Sequence, residues 1–259
     1  QLSERLLLGL GLRFDYRSVD RGDEFSYKSF SDVSPKINLT FKRDTFSTWN
    51  FAFSKGFRSP SLSELFLQYE SDYGLNTQGN PNLEPEQLYG LDISFDRTNK
   101  TNLTYSVSTF YYNYKDMIDF VYGLPVIALN RSDISSNGLE TNISYKINPN
   151  LNLDLGYTFL RVDDINNVDP ILYRPKHKFI SSIKHKSKNI SNIISMRYQS
   201  KQDYQNFLSD EREYEGSEIK FPIEQLDSLI LFNYIGTYEL NNNHKVSLKT
   251  VSYTHLTLP

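Results

Sequence analysis

A chain of 259 residues with a net charge of −3, 38% hydrophobic residues and no cysteine has room for one large domain or two ordinary ones, but is poor in plain aliphatic core formers. The charge gives no basic surface for nucleic acid, and the missing thiols exclude a disulfide framework or a thiolate metal site. The longest apolar run, Leu6 to Leu12, is far below the ~20 residues of a spanning helix, whereas 19 Tyr and 17 Phe supply amphipathic rings suited to a boundary between oil and water.

Along the chain the dominant signal is a period of two, which places alternate residues on opposite faces of a strand. It begins with Leu6, Leu8, Leu10, Leu12, Phe14 and Tyr16 and returns in Ile37, Leu39 and Phe41 and in Trp49, Phe51 and Phe53. Tyr89 to Phe95, Leu103 to Val107, Leu139 to Ile147 and Leu151 to Phe159 repeat it. An eighth strand around Phe179 to Ile183 alternates poorly; a ninth carries Ile190, Ile194, Met196 and Tyr198, a tenth Ile230, Phe232 and Tyr234, and an eleventh Val246 and Leu248. Asn, Asp, Ser, Thr, Gly and Lys occupy most intervening positions.

Alternation alone also fits a soluble sandwich, so connection length is the discriminating feature. Short connections at Lys42 to Asp44, Thr98 to Thr101, Asn148 to Asn150, Ser187 to Asn189 and Asn241 to Asn243 alternate with long polar ones. The long set is Arg17 to Asp32, Arg58 to Pro85, Tyr122 to Asp133, Asp163 to Pro175 and Tyr204 to Ile223. Tight periplasmic turns alternating with long extracellular loops are the pattern of an outer-membrane barrel, whose apolar rows face lipid and whose polar rows face a wet lumen. The expected fold is all-β, an antiparallel transmembrane β-barrel. Single-chain bacterial barrels usually have an even strand number, so eleven strands read as an incomplete set. With no signal peptide at Gln1-Leu2-Ser3, the start reads as a cut through a longer protein.

The third strand runs into Lys55-Gly56-Phe57-Arg58-Ser59-Pro60-Ser61-Leu62-Ser63-Glu64-Leu65-Phe66, and the fourth is preceded by Gly79-Asn80-Pro81-Asn82-Leu83-Glu84-Pro85-Glu86. Pro60 and Pro81 remove backbone donors where a ladder should stop, and Gly56 and Gly79 permit backbone shapes that other residues resist. Ser63 to Leu67 is read as a helical turn that tucks Leu62, Leu65 and Phe66 onto the barrel rim. The two segments, in this order at opposite ends of one long loop, resemble the paired hallmark segments of TonB-dependent receptors. Phe110 to Asp119, Asn137-Gly138-Leu139-Glu140 and Tyr173-Arg174-Pro175-Lys176-His177 are similar to later strand segments of that family, so the resemblance covers most of the chain. Gly56, Phe57, Arg58, Pro60, Glu64, Gly79, Asn80, Pro81, Leu83, Pro85 and Glu86 are read as shaping the loop without touching ligand, because Gly and Pro punctuation is mainly structural.

The resemblance implies a 22-stranded transporter with a plugged lumen. The N-terminal plug would carry the segment gripped by the TonB energy-coupling protein. These strands would be the eleventh to twenty-first, with the plug and last strand missing. Residues 1–250 are assigned to the barrel and 251–259 to a non-native tail, since Val251 to Leu256 resembles a translated sequencing adapter and the terminal aromatic strand of the family is lacking.

An enzymatic role lacks sequence support: His177, His185, His244 and His255 are scattered without metal-ligand spacing, and no nucleophile-elbow motif is present. No cofactor is expected. Haem receptors of the family have a haem-contacting His between the two hallmarks, and here Ser61 to Gly79 contains none, leaving only Tyr69 and Tyr73 as possible axial ligands. Candidate ligand contacts are the loop aromatics and arginines Tyr69, Tyr73, Tyr122, Arg131, Tyr173, Arg174, Tyr204 and Tyr214, whose faces and forks suit flat or anionic iron chelates and sugars, against the alternative of rim and girdle residues. Asp210, Glu211, Glu213, Glu215 and Glu218 form an acidic loop, read as a solvated face. The function expected is TonB-dependent import of a scarce ligand, foremost a ferric siderophore, with outer-membrane lipid, the energy-coupling protein and an iron chelate as partners and no nucleic acid. Uptake of haem, cobalamin or carbohydrate, a passive porin-like channel, an adhesin barrel and a soluble β domain are the rivals.

Overall fold

A computed structural model describes residues 3–20, 27–70, 76–98, 102–121, 125–130, 133–165, 171–207, 209–211, 213–215, 218–241 and 244–254. In chain order the first elements are β1 (Leu6–Asp20), β2 (Tyr27–Asp44), β3 (Ser47–Arg58), α1 (Leu62–Phe66), β4 (Gln68–Tyr69), β5 (Thr77–Gln78) and β6 (Glu86–Thr98). There follow β7 (Leu103–Lys115), β8 (Ile118–Val121), β9 (Val126–Asn130), β10 (Ile134–Asn148), β11 (Leu151–Asp164), β12 (His177–Ser187) and β13 (Ile190–Gln199). The last are β14 (Gln202–Gln205), β15 (Glu213–Glu215), β16 (Glu218–Lys220), β17 (Ile223–Leu226), β18 (Leu229–Asn241) and β19 (His244–Thr254).

Eleven of these form one antiparallel sheet with neighbours in the order β1-β2-β3-β6-β7-β10-β11-β12-β13-β18-β19. Each contains one of the eleven alternating segments, in the expected succession. The sheet is open, with β1 and β19 at its edges. Register keeps the apolar set on one face: Leu8 faces Leu39, Leu39 faces Phe51, Phe51 faces Ile93, and Ile93 faces Thr109. Tyr145, Leu153, Ile183, Ile194 and Tyr234 continue the same face across later strands. Leu10, Leu12, Phe14, Val246 and Leu248 are all more than half exposed there, an arrangement that water penalises and lipid accepts.

The opposite face is polar and bonded across strands. Thr40 donates to Asn50 at 3.0 Å, and Asn50 donates to Ser94 and Asp96 at 3.2 and 3.1 Å. Tyr112 donates to Asp92 at 2.6 Å; Ser144 and Asn152 donate to Asp154 at 2.7 and 2.9 Å. Gly138 is required on this face because a Cβ there would lie 2.4 Å from the Phe159 carbonyl and 2.6 Å from the Phe110 ring.

Several boundaries differ from those expected. The first long connection is mostly strand, since β1 continues to Asp20 and β2 begins at Tyr27, with Asp15 opposite Asp32 and Val19 opposite Lys28. Backbone pairing persists there although the alternation stops, and one face of this extension buries Val19 and Phe30. The turn placed at Lys42 to Asp44 falls at Thr45-Phe46, where Asp44 accepts the Phe46 amide at 2.8 Å and the register shifts by one residue. The poorly alternating eighth strand is regular β12, held by ladders on both sides. Its Ile180 lies on the polar face, opposite Gly156 and Arg197, which is what blurs its alternation. The chain is paired through Thr254, opposite Ile230. The long connections build small sheets: β4-β5-β9-β8, β14-β17 and β15-β16, the last a hairpin through the acidic segment with Glu213 opposite Lys220.

Candidate functional site

The buried apolar core of the described residues lies at the long-loop end of the sheet, away from the lipid belt. Val19 and Phe30 from β1 and β2, Leu65 from α1, Leu83, Ile118 from β8 and Ala128 from β9 pack together, with Phe57, Phe66 and Phe120 half-buried around them. The loop between β3 and β6 and the loop between β7 and β10 thereby form one platform.

Local sequence explains how the first loop turns. The β2–β3 ladder ends at Lys36 opposite Ser54, one residue beyond Pro35, which has no N–H to donate. Buried Pro60 follows the end of β3, and Ser61 caps α1: its Oγ accepts the Glu64 amide at 3.2 Å, while the Glu64 carboxylate accepts the Ser61 amide at 2.7 Å. This reciprocal capping satisfies two donors of a helix too short to persist alone. Returning from β5, the chain closes the other end of α1, where Gly79 donates to the Leu67 carbonyl at 2.6 Å and Asn80 to the Glu64 carbonyl at 2.8 Å. A Cβ at Gly79 would stand 2.5 Å from the Phe66 nitrogen, so this residue must be Gly through close approach and not through a left-handed φ. Gly56 corrects the expectation of an unusual backbone, since it lies in an extended strand where a Cβ would meet Leu88 at an ordinary 3.6 Å. Leu62 is a second correction. It opens the helix 55% exposed, because a single turn can bury only one side, and that side presents Leu65.

Arg58 joins the two hallmark segments. Its Nε and Nη2 donate to the two oxygens of Glu86, both at 2.5 Å, and Nη1 donates to both oxygens of Glu64 at 2.9 and 3.0 Å. Glu86 also accepts the Ile118 amide at 2.8 Å, tying the start of β6 to the second loop. Burial opposes ionisation of Glu64, but hydrogen bonds from Arg58 and from the Ser61 amide outweigh it and hold the carboxyl below the ordinary glutamate value of 4.5. Asn80 donates to the Ala128 carbonyl at 3.1 Å and accepts the Asn82 amide at 2.9 Å, which turns the chain past Pro81 so that Leu83 is fully buried. Lys28 reaches from β2 to the carbonyls of Pro81 and Leu83 at 3.0 and 2.5 Å, and Arg17 donates to Ser59 at 3.0 Å. Half-buried Pro85 leads the chain into β6.

Asn130, absent from the sequence candidates, is a third fastening. Its side chain accepts the Glu84 amide and donates to the carbonyls of Glu84 and Asp116, at 2.8, 2.8 and 2.7 Å. Asp116 has a φ of 53°, a left-handed conformation that needs such support outside glycine. The only sequence signal for Asn130 is an Asn ending an apolar stretch, which is too common to single it out.

The candidate ligand residues divide between places. Tyr69 sits on β4 of the platform, 58% exposed. Tyr173 and Tyr204 meet in a second loop group: Tyr173, with a φ of 57°, donates its amide to the Asp203 carbonyl at 2.8 Å. Tyr204 donates to Glu224 at 2.6 Å, and Asn206 donates to the same carboxylate at 2.8 Å. Those two hydrogen bonds, Asn206 first, lower the Glu224 carboxyl, and Glu224 in turn raises the Tyr204 phenol. Arg174 is exposed beside Tyr173, and Tyr214 projects from the β15–β16 hairpin, 67% exposed. Tyr73, Tyr122 and Arg131 lie outside the described residues. Among the described residues no three His, Asp or Glu side chains gather as a metal centre. The described loops present exposed phenol rings, a guanidinium and carboxylates.

The chain matches the family model for the TonB dependent receptor-like β-barrel over residues 1–252. Two curated relatives, the iron-regulated outer membrane virulence proteins of two Vibrio cholerae serotype O1 strains, are 25% identical over 200 residues, covering 70% of this chain and 29% of theirs. Among solved structures, the copper transporter OprC superposes with a TM-score of 0.75 at 16% identity, over 96% of this chain and 40% of that one. The siderophore receptor PirA from Acinetobacter baumannii gives 0.72 at 16% identity over 93% and 38%, and the ferric enterobactin receptor PfeA from Pseudomonas aeruginosa 0.72 at 16% over 96% and 37%. The lipid-facing belt, the alternation of turns and loops and the family match thus agree, and the chain belongs to the TonB-dependent receptors, as part of their β-barrel in the bacterial outer membrane.

Proposed function

We propose that the receptor containing this barrel segment imports a ferric siderophore, capturing it on extracellular loops and moving it inward through a plugged lumen with energy delivered by TonB. The observation that carries the reading is a packed loop platform that presents Tyr69, and a separate loop group with Tyr173, Arg174 and Tyr204, on a barrel of this family. Aromatic faces and a guanidinium suit flat, anionic iron chelates, and holding them on fixed supports reduces the entropy cost of binding. Relatives described as iron-regulated, and siderophore receptors among the structural neighbours, support the same class of cargo. With two methionines and no cysteine, this stretch has little of the soft sulfur chemistry that favours copper, so the likeness to a copper transporter speaks for fold and not for cargo. In this role the residues bind and orient, and no bond-making step is assigned to them.

Growth of a deletion strain on a panel of ferric chelates as sole iron source tests the proposal. Loss of growth on one chelate, restored by the intact gene only when TonB is present, is the result expected. Equal growth on every chelate removes the siderophore reading, and restored growth without TonB favours a passive channel.

A further inference from the structure

Tyr173 holds a left-handed backbone, with a φ of 57°, although it carries a side chain. Such a conformation persists where the surroundings enforce it, and strain of this kind collects at functional sites. Here the neighbouring loop enforces it. The Tyr173 amide donates to the Asp203 carbonyl of β14 at 2.8 Å, and its phenol donates to the Gln205 carbonyl at 3.5 Å. On the other side of Arg174, Pro175 is buried and confines the residue before it to extended backbone. Arg174 is thus fixed at its backbone from both sides while the residue itself is exposed. Its guanidinium meets no carboxylate among the described residues; Nη1 donates to the Tyr173 carbonyl at 3.3 Å. Other arginines at the long-loop end are engaged: Arg58 with Glu64 and Glu86, Arg17 with Ser59, and Arg161 with Asp163 at 2.6 Å. The carboxylates of the hairpin that clasps Tyr173 are engaged too. Glu224 accepts from Tyr204 and Asn206, Asp203 accepts from Gln225 at 3.4 Å, and Asp227 lies 3.2 Å from Lys201.

We propose that Arg174 is a specificity-determining residue of the receptor, reading a planar pair of negatively charged oxygens on the ferric chelate, and that Tyr173 is the residue that positions it. The inference rests on the siderophore reading and narrows it from a class of cargo to a charge and a geometry. A guanidinium presents donors in a rigid fork that matches two coplanar acceptor oxygens, as a free carboxylate or an iron-bound catecholate offers. A chelate without net negative charge gains little from it. Because the hairpin's own carboxylates have other partners, the fork is left for an acceptor from outside. Because the backbone is already fixed on both sides of Arg174, less freedom is lost when that acceptor arrives. The left-handed Tyr173 is then explained: it turns the chain between its clasp on β14 and buried Pro175 so that the residue between them stays exposed.

Binding of three ferric complexes to the full-length receptor in detergent, those of citrate, of a tris-catecholate and of an uncharged tris-hydroxamate, provides the test. The unaltered receptor should prefer one of the two anionic complexes, and which one it takes tells whether a carboxylate or a catecholate supplies the oxygen pair. Arg174→Gln should weaken that binding about tenfold or more, the scale of a lost charge-assisted hydrogen-bond pair, and leave the tris-hydroxamate unaffected. Arg174→Lys should not restore it, since an ammonium is a point charge. Tyr173→Gly adopts a positive φ freely and should keep the affinity, whereas Tyr173→Val resists that φ and should lose it. Heat-modifiable migration on gels checks that each variant barrel is folded; if the valine variant is not, the glycine variant decides. An unchanged affinity in Arg174→Gln, an equal loss for the tris-hydroxamate, or full rescue by Lys overturns the role of Arg174 and leaves the siderophore reading standing. Loss in Tyr173→Gly, or retention in a folded Tyr173→Val, overturns the positioning role. Binding of none of the three complexes removes the siderophore reading and this inference with it.

Discussion

Leu83→Ala is the most direct probe of the loop platform, because Leu83 is fully buried among Val19, Phe30, Leu65, Ile118 and Ala128 and is contributed by an irregular segment with no ladder of its own. The substitution removes three carbons, about 2.4 kcal/mol at ~0.8 kcal/mol per buried carbon group. A residual cavity raises the cost to about 3–4 kcal/mol, within the range measured for buried leucines. The platform rests on the sheet through side chains and a few backbone bonds, whereas the sheet is held by continuous ladders, so the loss should be local. Native-state amide exchange of the full receptor in detergent should accelerate by about two to three orders of magnitude at Asn80, Ile118 and Val126, since 1.4 kcal/mol corresponds to tenfold. Amides of Phe51 and Ile143 in the main sheet should be unchanged. Equal acceleration in both places would refute the picture of a separately cooperative platform, and no acceleration at Asn80 or Val126 would refute the role of Leu83 in holding it.

Phe51→Arg puts a charge on the lipid face four residues from the start of β3, in the row Leu39, Phe51, Ile93, and should cost on the order of 2–4 kcal/mol near mid-bilayer; unaltered folding into lipid vesicles argues against that face assignment. Glu64 makes the platform acid-sensitive. Its folded carboxyl titrates below 4.5, so its contribution is complete above that pH and is lost as pH falls through the lower folded value. Protease nicking between Ser59 and Pro85 should rise with acidification over that window and do so less in Glu64→Gln, which has no carboxylate left to protonate.

Much of the fold was legible because the bilayer imposes a simple rule. Leu6 to Tyr16, Trp49 to Phe53 and Leu151 to Phe159 face oil on one side and water on the other, and a two-residue period records this in each strand without reference to its neighbours. The Asn148 turn was visible too, since an Asx side chain that accepts the amide two residues on is a local device, whereas the turn after β2 was placed too early. Loop architecture was less accessible. Arg58, Glu64 and Glu86 could be picked out as a spaced set, but their shared ion pair joins positions 6 and 28 residues apart, and nothing local states that one guanidinium serves both. Asn130 was missed for the same reason, as its partners Glu84 and Asp116 are 46 and 14 residues away.

The period of two alone thus placed the eleven strands and their faces, because each depends on the solvent around a single strand. Only the tertiary structure decided that Gly79 is required by the backbone of α1, that two distant loops share one core around Leu65 and Leu83, and that Tyr173 is clasped to Asp203 of the neighbouring loop. These are contacts between segments brought together by register and packing, and periodicity within one segment carries no record of its partner.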